Sequence, residues 1–243
     1  MYGDRPDPVT AATSFVAQRF PGAAAALLGG SVLTEHRTPT SDLDVVVLLD
    51  GPPAPYRETG EQDGWIVESF VHTRASLEEF WARDAARRVP SLIRMCADSV
   101  LLVDAAGIAA RVQAEAAALL AAGPPPLEAA ELAWSRYGLT DLLDDMAGCD
   151  DEAELLFIAA GVVGKVSALA LLVAGQWSGS GKGLARALAR HDPDLLERLV
   201  NGHRHVVLYA DTAVLHRAAV DVLLRAGGAL MVGYRADAPP AEK

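Results

Sequence analysis

The 243-residue sequence predicts an α+β protein in which a mixed α/β half precedes an all-helical half. Two observations lead to this prediction. Short apolar runs with strand character, such as residues 45–49, occur in the first half and vanish after residue 123. A Gly-Pro-Pro-Pro run at 123–126 is the clearest linker signal in the chain. We therefore expect a first domain over 1–123, a helical domain over 127–234 and a flexible tail over 235–243.

Local signals define the elements of the first half. Pro8 suits the first turn of a helix, and apolar residues follow it at helical spacing. Ser76, with Glu79 three residues later, forms a capping box that should open another helix. In chain order, the predicted elements are a helix over Pro8–Phe20, strands over Ala23–Leu28 and Asp42–Leu49, a hairpin of Tyr56–Thr59 and Trp65–His72 around a polar turn at 60–64, a helix over Ser76–Arg88, a strand over Ser99–Val103 and a helix over Ile108–Ala122.

Alanine and leucine dominate the second half and favour helices. The longest apolar run, Leu155–Gly175, is interrupted by Lys165, so a buried helix explains it better than a membrane span. The predicted helices are Leu127–Met146, Asp151–Ala174, Gly183–Arg190, Pro193–Gly202 and His205–Ala226.

The amino-acid composition limits the classes of binding partner and the cellular compartment that we expect. The chain has 21 basic and 32 acidic residues, a net charge of −11, which repels nucleic acid and attracts cationic small molecules. The start of the chain has no apolar segment, so we expect no signal peptide. Cys96 and Cys149 are far apart and lie in apolar surroundings, which favours free thiols in the cytoplasm. Oligomeric state is not predictable from these properties.

Three acidic residues form the candidate metal site. Asp42 and Asp44 lie at the start of a strand and face the same side, about 7 Å apart, because side chains alternate along a strand. Like charges at this spacing repel unless a cation lies between them, and carboxylate oxygens suit Mg²⁺. Glu68 lies in a strand that is otherwise fit for burial, where an unpaired carboxylate is costly. The alternatives are a solvated strand start for Asp42 and Asp44, and an exposed edge for Glu68.

A glycine turn precedes these acids. Gly29-Gly30-Ser31 would present backbone N–H groups and one hydroxyl to a phosphate. A Gly-Gly-Ser turn is common, so the signal depends on the Ser-Asp-x-Asp sequence that begins ten residues after Ser31.

These residues resemble the signature of the polymerase-β-type nucleotidyltransferase superfamily: a Gly-Ser turn, a short spacer, Asp-x-Asp and a later acid. The match spans about residues 27–72. The helical second half is similar to the streptomycin/spectinomycin-type adenylyltransferases. The resemblance implies a nucleotidyltransferase fold, with Asp42, Asp44 and Glu68 as ligands of two Mg²⁺ ions and Glu68 also as the general base.

The resemblance also implies how the nucleotide binds. Gly30, Ser31 and Ser41 would contact the phosphates of ATP, and the helical domain would close over the cleft and supply Lys182 and Tyr209. A family arginine that precedes this lysine has no clean equivalent here, and Lys165 is the nearest cation. The sequence around Lys182 is not a P-loop, because positions 176 and 183 are Gln and Gly.

A second acidic cluster lies in the helical half. Asp141 and Asp144 share a predicted helix face with Asp145, where like charges favour a cationic partner: the ammonium groups of an acceptor, or Arg136. We expect Asp141 and Asp144 to contact the acceptor and Asp145 to be structural. The tryptophans 81, 134 and 177 are expected to pack in apolar cores rather than to stack on a ligand.

The sequence thus predicts an enzyme that transfers a nucleoside monophosphate, AMP from ATP, to a hydroxyl group of a small cationic molecule such as an aminoglycoside antibiotic. Two alternatives remain open: a nucleotidyltransferase that modifies a protein partner, as in toxin–antitoxin pairs, and a catalytically silent nucleotide-binding protein. The acceptor, the modified hydroxyl and the nucleotide preference are not encoded in a recognisable pattern.

Overall fold

The computed structural model describes residues 5–237 and divides the chain into two compact units, Met1–Gly123 and Pro124–Lys243. A mixed sheet with flanking helices forms the first unit, and helices form the second. The α+β prediction is therefore confirmed. Of the predicted tail, 238–243 lies outside the described residues.

The first unit contains five strands and four α-helices within the described part of the chain. The sheet order is β3-β4-β2-β1-β5; β2 and β4 are parallel, and the other neighbours are antiparallel. The elements are α1 (Pro8–Arg19), β1 (Ala25–Gly29), β2 (Leu43–Leu48), β3 (Tyr56–Gln62), β4 (Trp65–His72), α2 (Arg74–Ala86), α3 (Ser91–Ala97), β5 (Val100–Asp104) and α4 (Ile108–Ala122).

Helix α1 covers one face of this sheet. The helix begins where the carboxylate of Asp7 accepts a hydrogen bond from Thr10 N at 2.9 Å, with Pro8 in the first turn. Its apolar side packs on alternate residues of the strands, such as Val45 and Val47, which are fully buried. The opposite face carries the intervening residues of each strand, and these include the candidate site.

Most strand and helix ends in the first unit shift by one or two residues from the sequence prediction, and three differences are larger or change an assignment. The capping box of α2 uses Thr73 and Ser76 rather than Ser76 and Glu79, so the helix begins earlier. Helix α3 is absent from the sequence prediction, because Pro90 signals a helix stop there, whereas in the structure Pro90 is the N-cap residue immediately before α3. Strand β3 extends to Gln62, and Asp63 and Gly64 alone form the hairpin turn, both with positive φ.

The second unit consists of α-helices in its described part: α5 (Ala129–Gly148), α6 (Glu152–Val173), α7 (Lys182–His191), α8 (Pro193–Tyr209) and α9 (Ala213–Arg225). Residues 105–122 and α6 are long and apolar enough to cross a membrane by length and composition. Helix α6 packs against α5, α7, α8 and α9, and buried residues such as Val162 and Val166 belong to their shared core. Packing between helices thus accounts for its apolar composition.

The tryptophan predictions had mixed outcomes. Trp81 is buried, as expected. Trp134 is 58% exposed, so its predicted core position was wrong. It stacks instead on the ring of Tyr137, which in turn stacks on Tyr234 with ring centroids 4.3 Å apart.

Helix α8 is continuous through Gly202, where the sequence predicted a break. The glycine lies against α9, and a Cβ at this position would be 2.7 Å from Leu215 N and 2.8 Å from Leu215 Cα. The residue therefore permits close approach of two helices rather than ending one of them.

We expect Gly202→Ala to lower the free energy of unfolding by about 1–3 kcal/mol, because the backbone of α9 must move to admit a methyl group. Gly164→Ala is the matched control: Gly164 lies inside α6, and a methyl group added there would have no atom within 4 Å, so alanine should stabilise by about 0.5–1 kcal/mol. Thermal and urea unfolding followed by circular dichroism measure both. Equal stabilities for the two variants would contradict the α8–α9 contact.

Candidate active site

The three carboxylates predicted from the sequence lie together at one end of strands β2 and β4. Asp44 is paired with Glu68 in the parallel register, and alternation places Asp42 on the same face as Asp44. One carboxylate oxygen from each of these residues lies within 4.8 Å of the others, and all three residues are half-buried. The three acids are therefore close together and only partly exposed to solvent.

The glycine turn at the end of β1 adjoins this cluster. Gly29 is paired with Asp44 across the sheet, and a Cβ on Gly29 would lie 2.6 Å from Met95 O of α3. Gly30 has a φ of 85°, and a Cβ there would overlap the Oδ2 atom of Asp44. Both positions therefore require glycine, for steric reasons at Gly29 and for backbone conformation as well at Gly30.

Two serine hydroxyls stand beside the turn. Ser31 begins a short 3₁₀ helix, Ser31–Leu33, and its Oγ is 3.2 Å from Ser41 Oγ. Ser41 is buried, and its Oγ accepts a hydrogen bond from Thr38 N at 2.9 Å. This bond fixes the Ser41 hydroxyl next to Asp42 in the chain and across from Ser31.

The residue that the sequence prediction missed is Arg57 on β3. Its guanidinium donates a hydrogen bond to Glu68 Oε2 and lies 4.9 Å from the centroid of the Phe70 ring. Arg57 is paired with Phe70 across the hairpin, so it shares the face that carries Glu68. The signal was present in the Asp63-Gly64 turn, which sets this register.

The donor set fits a hard divalent cation. Oxygen ligands on opposite sides of a Mg²⁺ ion are about 4.2 Å apart, twice the usual bond length, so the observed spacing needs only small rotations of the side chains. Arg57 balances the charge of one of these carboxylates, that of Glu68. Asp42, Asp44 and Glu68 are therefore the residues that can hold the metal.

The remaining predicted residues belong to the second unit. Lys182 is the first residue of α7, and Tyr209 is the last of α8, where it is 71% exposed. Asp141 and Asp144 are exposed on α5. Arg136, considered above as a partner for these acids, donates instead to the carbonyl oxygens of Gly227 and Gly228 at 2.8 Å. The roles assigned to these side chains stay predictions.

Two comparisons with known proteins give matches. Residues 11–89 match the family model described as a nucleotidyltransferase domain. A nucleotidyltransferase-like protein from Exiguobacterium sibiricum is similar in structure, with a TM-score of 0.49 and 10% identity over 90% of this chain and 74% of that chain. No curated protein matches the sequence.

The first unit therefore contains a nucleotidyltransferase domain, and its acidic cluster lies within the matched residues. The protein is thus an enzyme of the nucleotidyltransferase class. The narrower resemblance to aminoglycoside adenylyltransferases has no support from these comparisons and stays a prediction.

We expect Gly30→Ala to weaken Mn²⁺ binding by at least about tenfold, because the added methyl group displaces the Asp44 carboxylate and the backbone favours glycine at positive φ. Gly51→Ala is the control, since a methyl group added at Gly51 would have no atom within 4 Å. Isothermal titration with Mn²⁺ measures both affinities. Unchanged binding in Gly30→Ala would contradict the role of Asp44 as a ligand.

A second substitution tests the ion pair between Arg57 and Glu68. Arg57→Gln removes a cation that competes for Glu68, so we expect Mn²⁺ to bind about 3–10 times more tightly. Arg19→Gln removes the same charge from the opposite face, where Arg19 pairs with Glu58 at 2.8 Å, and should leave the affinity unchanged. Electron paramagnetic resonance of free Mn²⁺ gives both values, and weaker binding in Arg57→Gln would count against competition.

Proposed function

We propose that the protein transfers a nucleoside monophosphate, AMP from ATP, to a hydroxyl group of a small molecule with release of pyrophosphate. The observation that carries this proposal is the convergence of three carboxylates beside a glycine turn, inside a nucleotidyltransferase domain. Three acids this close together repel one another unless a cation lies between them, which favours an enzyme over a catalytically silent protein.

In this proposal Asp42 and Asp44, with Glu68, hold two Mg²⁺ ions. Bound Mg²⁺ would offset negative charge on the triphosphate and on the departing pyrophosphate. The Ser31 and Ser41 hydroxyls, 3.2 Å apart, would donate hydrogen bonds to phosphate oxygens. Ser41 is fixed by Thr38 N, so this donor is positioned before the nucleotide arrives.

In this proposal Glu68 acts on the acceptor. Its Oε2 is held by Arg57, which fixes the orientation of the carboxylate. Glu68 would accept the proton of the attacking hydroxyl as the new bond to the α-phosphorus forms and the bond to pyrophosphate breaks. Arg57 would thus be a positioning residue for the general base, because its hydrogen bond orients the Glu68 carboxylate.

In the proposal, side chains of the second unit bind the nucleotide and the acceptor. Lys182 and Tyr209 would contact the nucleotide, and the exposed carboxylates of Asp141 and Asp144 would bind ammonium groups of the acceptor. The net charge of −11 supports a cationic acceptor, and an aminoglycoside has this chemistry. Modification of a protein hydroxyl stays an alternative with no particular observation in its favour.

We expect Asp44→Asn to reduce Mg²⁺- and ATP-dependent transfer by at least about a thousandfold, because a neutral amide is a poor ligand for Mg²⁺. Asp50→Asn, which neutralises an exposed acid after β2, should behave as the native protein. Pyrophosphate release over a panel of hydroxyl acceptors that includes aminoglycosides measures the activity, with circular dichroism as the check on folding.

The outcomes separate the functions. Full transfer by Asp44→Asn would refute the assignment of the metal site. If ATP and Mg²⁺ bound to the native protein without pyrophosphate release on any small-molecule acceptor or protein extract, the silent alternative would replace the enzymatic one.

A further inference from the structure

A cavity of about 370 Å³ lies in the first unit, on the same sheet face as the acidic cluster. Its walls include Phe70 of β4, Phe80 of α2, and Leu92 and Met95 of α3. Its volume falls at the lower end of the range of about 300–1,000 Å³ that small-molecule sites occupy. The size therefore suits one ring system rather than a chain of sugars.

The cavity adjoins Glu68 through two structural links. Phe70 follows Glu68 by two residues on β4, so both side chains leave the same face of the strand about 7 Å apart. Arg57 lines the cavity, lies over the Phe70 ring and donates a hydrogen bond to Glu68. The Arg57 guanidinium therefore lies between a molecule in the cavity and the carboxylate of the candidate base, Glu68.

The charged groups in the wall are already compensated. The Asp84 carboxylate accepts hydrogen bonds from Leu92 N at 2.6 Å and Ile93 N at 3.3 Å, and pairs with Arg87 at 2.9 Å. Its side chain is 5% exposed. Asp84 thus joins α2 to the start of α3 and has little capacity left for a cationic ligand.

The imidazole of His72, which also lines the cavity, is uncharged at neutral pH. His72 is 4% exposed, and burial lowers its pKa below the ordinary value. The Nδ1 atom of His72 is 3.2 Å from Ser76 Oγ, and its ring meets that of Phe80 edge-on with centroids 4.9 Å apart. Aromatic rings and aliphatic side chains therefore form most of the surface.

We propose that this cavity, which we call the β4 cavity, binds the uncharged aromatic ring of a hydroxyl-bearing acceptor. The inference rests on the proposed transfer of a nucleoside monophosphate, and it replaces the aminoglycoside suggested by net charge with an aromatic alcohol as the acceptor. A ring placed against Phe70 and Phe80 gains stacking and apolar contact, whereas an ammonium group would lose its hydration without a partner. Arg57, whose side chain is 56% exposed, can turn towards solvent and admit the hydroxyl to Glu68.

The test uses 2-naphthol as a probe and the full-length protein. Ser91→Trp places an indole at the rim of the β4 cavity, because Ser91 is an exposed residue of its wall. Arg94→Trp makes the same substitution three residues later on α3, at an exposed position outside the wall. Ligand-observed NMR and isothermal titration give the affinity, and circular dichroism checks that the three proteins fold alike.

We expect saturable 1:1 binding of 2-naphthol to the native protein, a loss of at least about tenfold in Ser91→Trp and no change in Arg94→Trp. Asp44→Asn should bind the probe as the native protein does, since the β4 cavity does not need the metal. Streptomycin should not displace the probe. Absence of saturable binding, equal affinities in the two tryptophan variants, or competitive displacement by streptomycin would each overturn the inference.

Activity distinguishes the two proposals. With aromatic alcohols as acceptors, Ser91→Trp should raise KM by at least about tenfold while the Mn²⁺ affinity stays constant. Transfer to an aminoglycoside alone, without binding of 2-naphthol, would preserve the proposed function and refute the acceptor class. Binding of 2-naphthol without pyrophosphate release on any acceptor would refute the transferase function and the acceptor role together.

Discussion

Repulsion among three carboxylates is the constraint on which the site depends. With an effective dielectric constant near 20, two unit charges 4.8 Å apart repel by roughly 3 kcal/mol, and solvent reduces this at half-buried positions. The sheet nevertheless holds Asp44 and Glu68 in register, because neighbouring residues such as Leu43, Val45 and Val67 are buried and would be exposed by a slip of one position. Apolar burial thus sustains an arrangement that electrostatics opposes.

Arg57 reduces this repulsion in the metal-free protein. Its guanidinium neutralises one carboxylate of the three, that of Glu68. The edge position of β3 matters here, since a long side chain on an edge strand can leave its partner without disturbing the sheet. An arginine in the centre of the sheet would have to lose its hydration permanently, and the cluster would lose the charge that attracts a metal.

Sequence patterns predicted most of this site because its parts are short and local. Asp42 and Asp44 share a face through simple alternation, and Glu68 was conspicuous as an acid within an apolar strand. Arg57 was missed because its relevance depends on hairpin register, and the turn was assigned to residues 60–64 instead of Asp63 and Gly64. The β4 cavity was beyond prediction, since it is assembled from β3, β4, α2 and the unexpected helix α3.

Net charge and pocket chemistry operate on different length scales. A charge of −11 determines which molecules approach the protein, and that long-range effect is screened within about 8–10 Å in physiological salt. What fits beside Glu68 depends on contacts shorter than this, where Phe70, Phe80 and a compensated Asp84 offer an apolar surface. The acidic composition that pointed to a polycationic acceptor therefore cannot specify the group that reaches the base. Net charge favours a cationic acceptor, whereas the cavity contacts favour an uncharged ring. The cavity contacts carry more weight, because the free-energy cost of desolvating a charge in an apolar cavity exceeds the attraction from distant carboxylates.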